Sequence, residues 1–196
     1  MEIKDKPFYF NSSSFRKWSI FFMEKEGTLR LLTPGEVRMA RAVFGDAIEY
    51  HKVWVHHDSY FPFGLQPDNA GMAPNGELYF RAWYTHDFSQ SDLPHRHIFI
   101  HEMCHVWQRG RGMNVRLNGL ISSLVSYRYA LNGRPLRRYP MEQQAQIITD
   151  WYILNTYGYI AWCTLRERGD ITLDGDTTES VIRAQYQKTL QNFPWC

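Results

Sequence analysis

The stretch from Ile98 to Gln108 constrains this chain more than any other, because it contains His101-Glu102-Met103-Cys104-His105, a His-Glu-x-x-His pattern. On an α-helix that spacing puts two imidazoles on one face, with the carboxylate one residue after the first. Two neutral imidazoles one turn apart can grip a single zinc ion, and the Glu can reach a water activated there. Turning about 100° per residue from His101, His105 falls at about 40° and Glu102 at about 100°. Phe99, Ile100, Met103, Val106 and Trp107 take the opposite arc, so the segment is predicted to be an amphipathic helix whose polar stripe is the triplet. Cys104 lies in the stripe of Ile100 and Trp107 and reads as a packed thiol.

With 196 residues the chain fits one domain, and that length buries roughly 70% of the unfolded surface without disulfide staples. Cys104, Cys163 and Cys196 form no Cys-x-x-Cys pair and no evident framework. A net charge of +2 does not point to nucleic acid, and none is expected as a partner. No apolar run reaches the length of a membrane span, and Trp18 to Met23 is too short for a signal-peptide core. Synthesis in the cytoplasm without classical export is therefore expected.

Residues 1–32, aromatic and mixed, read as an arm packed on a domain over 33–196. Thr33-Pro34-Gly35-Glu36 opens a helix with an N-cap, a Pro at N1 and a Glu closing a capping box. Ile48 to His56 and Glu77 to Tyr84 read as strands. His56-His57-Asp58 is a weak candidate ligand cluster, and a strand before the metal helix could pair with an extended peptide. The metal helix is expected to start near His95, Leu117 to Leu131 to be helical, and Pro140 to open a helix from Met141 to about Tyr157. Asp176 to Glu179 starts a last helix. Seven arginines and no acid or lysine fall between Val106 and Met141, either a solvated connector or a positive rim that draws an anionic substrate.

Catalytic zinc needs a third protein ligand. All eight histidines lie at or before position 105, and Gln108 and Arg111 stand where a His-x-x-Gly-x-x-His continuation would put its Gly and His. A carboxylate remains. Glu142, the first acid after His105, sits on the polar stripe of an otherwise buried helix and is the favoured ligand. Asp150 is the runner-up, or a partner orienting an imidazole N–H.

The runs His101 to Gln108 and Met141-Glu142-Gln143-Gln144-Ala145 resemble the two metal-binding helices of gluzincin-type zinc metallopeptidases. They look most like the metallopeptidase domain at the C-terminus of some type VI secretion spike (VgrG-type) proteins and related stand-alone effectors. The similarity takes in Leu32 to Glu36 and Pro74 to Phe80, roughly residues 30 to 160. It implies an α+β, zincin-like fold, mostly helical with a small sheet beside the metal helix. It also implies Zn2+ held by His101, His105 and Glu142, Glu102 as general base, and antibacterial use after delivery into a rival's periplasm. A cognate immunity protein and a secretion-spike carrier would be its partners. Cys104 departs from the threonine or small residue expected there, and no spike portion is attached, so delivery would need a separate carrier.

The expected reaction is hydrolysis of a peptide or protein substrate, with Glu102 taking a proton from the attacking water. Tyr139, Tyr152, Tyr157 and His86 are candidates for stabilising the oxyanion. Two other readings stand beside it: a housekeeping intracellular zinc peptidase, and a non-catalytic zinc-containing binding module with a basic surface.

Overall fold

Asp92 opens the helix on which the other elements converge. Its carboxylate accepts from the His95 backbone N–H at 3.1 Å, and Pro94 follows in the first turn. The computed structural model describes residues 26–115 and 127–195. They form an α+β arrangement of helices and two small sheets. The first sheet comprises β1 (Thr28–Leu31), β2 (Trp54–His57), β3 (Gly71–Met72) and β4 (Leu78–Phe80), in the order β1-β2-β4-β3. β2 and β4 run parallel, and the outer pairs are antiparallel. Of the arm expected over 1–32, Thr28–Leu31 is thus a sheet strand, while residues 1–25 lie outside the described residues.

The capping box forms as its sequence dictates. In α1 (Pro34–Phe44) the Thr33 hydroxyl accepts from Glu36 N, and the Glu36 carboxylate accepts from Thr33 N. Glu36 does more than cap. Fully buried, it pairs with Arg30 on β1 at 2.8 Å and accepts from Phe88 N at 2.9 Å. A buried carboxylate is tolerable when every lone pair is used. This one fastens sheet, α1 and the 3-10 turn Phe88–Gln90 that leads into α2 (Leu93–Gly110).

Both predicted strands are shorter than the sequence pattern suggests. Tyr50–Lys52 is a 3-10 turn, because the Tyr50 hydroxyl donates to Gly45 O at 2.6 Å and Val53 N closes back on Tyr50 O. β4 stops at Phe80, where Arg81 turns out to bind Gly64 O and Gln66 O. α2 starts two residues earlier than expected, since Asp92-Leu93-Pro94 is itself a start signal.

α2 packs along α3 (Met141–Arg168). The expected end of α3 at Tyr157 coincides with an interruption at Gly158, after which helix continues to the cap at Gly169. Phe99, Ile100, Met103 and Cys104 are fully buried, each large apolar side chain contributing roughly 1.5–3 kcal/mol. The polar stripe of α2 is buried as well, because β3 covers the side that α3 leaves open.

The helix expected over Leu117 to Leu131 is corrected at its described end. Tyr129–Ala130 form β5, which runs parallel to β6 (Leu173–Asp174), while residues 116–126 lie outside the described residues. The Tyr129 hydroxyl donates to buried Asp150, a tertiary bond that local helix propensity does not foresee. α4 (Glu179–Thr189) closes the chain against α3. Among the described residues no helix is long and apolar enough to cross a membrane.

Candidate metal centre

Mid-α2 carries His101, Glu102 and His105, and the first turn of α3 carries Glu142. The packing of the two helices brings Nε2 of His101 to 3.4 Å and Nε2 of His105 to 3.2 Å from the same Glu142 Oε2. One ligand atom each of His101, Glu102 and His105 lies within 4.8 Å of the others. All four side chains are buried. Two buried imidazole nitrogens converging on one carboxylate oxygen are a costly way to build a core.

Burial alone would push Glu142 up, but His105 and His101 outweigh it and hold the carboxyl well below its usual range. For His105, burial opposes the charged form and Glu142 overcomes it, raising the imidazole to about 9. Burial lowers His101. Glu102 is pushed up to about 7 by burial, and its Oε2 has no hydrogen-bond partner.

Gln108 fixes the tautomer of His105. Its amide N–H donates to Met141 O at 2.9 Å, so its oxygen is left to accept from His105 Nδ1–H at 2.8 Å. Neutral His105 then carries its lone pair on Nε2, the atom facing Glu142. Two imidazoles, a carboxylate and an unpartnered second carboxylate oxygen fit a zinc ion in number, type and burial.

The remaining sequence candidates lie elsewhere. Asp150 does orient an imidazole, but that of His97, one turn before His101, at 2.8 Å. The Tyr139 hydroxyl donates to Ala130 O at 3.1 Å. Tyr152 shares a 2.9 Å bond with Tyr157, which accepts from Arg96, and neither ring touches the cluster. His56 binds Glu77 at 2.8 Å and stacks on Tyr79; His57 stacks on Tyr84, the ring that also neighbours His86. Cys104 is fully buried, its thiol facing Ala145 O and Thr149, and burial pushes it far above the range of a reactive thiol. The arginine-rich stretch is dispersed: Arg111 lies over Trp107, Arg128 pairs with Asp174 and Arg134 lies over Tyr139. Arg116 lies outside the described residues.

No family model matches the chain. It is 38% identical over 133 residues, 63% of this chain, to the type VI secretion system spike protein VgrG2b of Pseudomonas aeruginosa, of which it spans 13%. The solved effector domain of Pseudomonas aeruginosa VgrG2b superposes with a TM-score of 0.61 at 33% identity, covering 79% of this chain and 89% of that one. The chain belongs to the VgrG2b effector-domain family.

In this member of the VgrG2b effector-domain family, two features at the site escape the sequence pattern. The Tyr127 ring, 46% exposed, has its centroid 5.9 Å from that of His101, and its hydroxyl is raised above the ordinary phenol range by partial desolvation beside the cluster, then by Glu142 and Glu102, a shift that its exposure moderates. The helix expected there hid it. The second is Gly71 on β3, where a Cβ would come within 2.8 Å of Glu102 Cγ and 2.7 Å of Phe80 Cε1. Only glycine lets the edge strand lie this close to Glu102.

Proposed function

We propose that this chain is a zinc-dependent, gluzincin-like metallopeptidase of zincin-like fold, delivered as a type VI secretion effector into the periplasm of a rival cell. The observation that carries the peptidase reading is the convergence of both imidazoles on one Glu142 oxygen beside a buried Glu102 without a partner. The delivery reading draws on the family, whose named relative is a spike protein with an effector domain. The carrier would be a spike protein, and an immunity protein would protect the producing cell.

His101, His105 and Glu142 would hold the zinc, which when bound supplies Lewis acidity that polarises a carbonyl and acidifies a water. Glu102 is the base. Buried beside the ligands with one oxygen unpartnered, its carboxylate can take a proton from the attacking water and return it to the leaving amine. Tyr127 faces the same cluster and can donate its hydroxyl to the developing oxyanion, the role for which Tyr139 and Tyr152 lie too far into their own bonds. β3 is an edge strand, and its outward N–H and C=O groups offer an extended peptide a ladder next to Glu102.

The test combines elemental analysis, a general peptidase assay and expression in two compartments. Wild type should carry one zinc and cleave peptides, and Glu102→Ala should keep the zinc and lose roughly 10²–10⁴-fold in turnover. Harm to the host confined to periplasmic expression fits the effector. Tolerance in both compartments would point to a housekeeping peptidase, and tightly held zinc with no hydrolysis to a binding module.

A further inference from the structure

We propose that a pocket between the Gly133–Arg137 turn and the C-terminal end of α4 binds a phosphate-class oxyanion. It lies outside the metal centre and uses basic residues that the peptidase reading leaves idle. The cavity of about 210 Å³ is lined by Gly133, Arg137, Lys188, Thr189, Gln191 and Asn192, with Pro135 and Leu136 behind them. None of these is acidic. Among the described residues neither Lys188 nor Arg137 makes an ion pair, whereas Arg111, Arg128 and Arg134 of the arginine-rich stretch each have an aromatic or acidic partner.

Two details indicate a built site. Gly133 sits at φ 80, and a Cβ there would come 3.1 Å from Lys188 Nζ, so the ammonium lies against the turn. Thr189 is 2% exposed and lines the cavity, and its Oγ1 is buried without a hydrogen-bond partner. A buried hydroxyl without a partner retains a proton to donate to an acceptor bound beside it. The end of α4 carries partial negative charge, which works against an anion, and the two full positive charges of Lys188 and Arg137 outweigh it. A guanidinium fork, an ammonium, a hydroxyl and two amides offer more donors than a carboxylate can use, which favours a tetrahedral oxyanion. Free phosphate and a phosphomonoester headgroup share that chemistry.

Isothermal titration calorimetry with inorganic phosphate, at constant ionic strength against chloride, tests the site on the full chain. Runs with zinc-loaded and with chelator-treated protein separate this pocket from phosphate at the metal, so the outcome does not hang on the peptidase reading. Saturable binding is expected in both, weakened about tenfold by Lys188→Gln and by Arg137→Gln, exposed positions where folding is checked by circular dichroism. Thr189→Val should weaken it further in the same direction. Sedimentation with phosphatidylcholine vesicles, with and without phosphatidic acid, then separates the sources: capture by the acidic vesicles that Lys188→Gln abolishes assigns a headgroup, and binding of phosphate alone assigns a soluble ligand. No saturable heat, or heat unchanged in both charge variants, overturns the proposal.

Discussion

α2 and α3 are bridged twice by histidine and carboxylate, and the two bridges are finished differently. At His97–Asp150 every acceptor is used: Oδ1 takes His97 and the Gln146 amide at 2.8 Å each, and Oδ2 takes the Tyr129 hydroxyl at 2.7 Å. That hydroxyl in turn meets the Tyr186 hydroxyl on α4. Two turns away, Glu142 faces two imidazoles through one oxygen, and neighbouring Glu102 keeps an oxygen with no partner. Burial raises the Asp150 carboxyl, whereas the histidines depress that of Glu142. The same residue types in the same helix pair thus serve two ends. A saturated network holds helices together; an unsaturated one waits for something else.

The sharpest way to break this contrast is to delete one carboxylate from each bridge. Glu142→Ala should abolish tight zinc binding and with it all turnover, measured by elemental analysis after dialysis and by peptidase assay. Asp150→Ala should leave the zinc stoichiometry intact and destabilise the fold by about 3–5 kcal/mol in denaturant titration, because His97 and Tyr129 lose a buried partner. If Asp150→Ala lost zinc while Glu142→Ala kept it, the roles of the two bridges would be reversed.

The contrast also explains what could be read beforehand. His101, Glu102 and His105 were legible because their spacing is a local property of one helix. Glu142 was legible because it is the first acid after His105 and falls on the polar stripe of an otherwise buried helix, again a local property. The capping box at Thr33 is local too, and it forms as read. By contrast, the destination of Asp150, the strand at Tyr129–Ala130 and the approach of Tyr127 to His101 depend on contacts between residues 20 or more apart. Gly71 was invisible for another reason: a glycine in a loop-rich stretch reads as a turn, and only the neighbouring Glu102 reveals a close approach.

A smaller effect sharpens the comparison through pH. In chelator-treated protein the folded His105 titrates at about 9, above its ordinary value of 6.5. A raised histidine contributes stability that is complete below pH 6.5 and is lost as pH rises through 9. Glu102, raised to about 7 by burial, adds a loss in the same direction between its ordinary 4.5 and 7. Metal-free wild type should therefore lose roughly 2 kcal/mol between pH 6.5 and 8 in denaturant titrations, at about 1.36 kcal/mol per pH unit for His105. Zinc-loaded protein should be flatter, since the bound cation replaces the proton on that imidazole. An equally steep decline with zinc bound would mean that His105 is not a ligand.

The smallest effect isolates the amide that joins the two helices at the site. Gln108→Ala removes the acceptor on His105 Nδ1 and the donor to Met141 O, while His101, His105 and Glu142 remain. The imidazole is then free to place its proton on Nε2, and the first turn of α3 loses a tie to α2. Partners that orient a ligating histidine are worth about 10–100-fold in metal affinity, and a neutral amide belongs near the lower end, about tenfold. Competition with a fluorescent zinc chelator reads this directly. Gln108→Glu keeps an acceptor for Nδ1 but not the donor to Met141 O. Restored affinity in Gln108→Glu would assign the effect to the imidazole, and equal weakening in both variants would assign it to the position of α3.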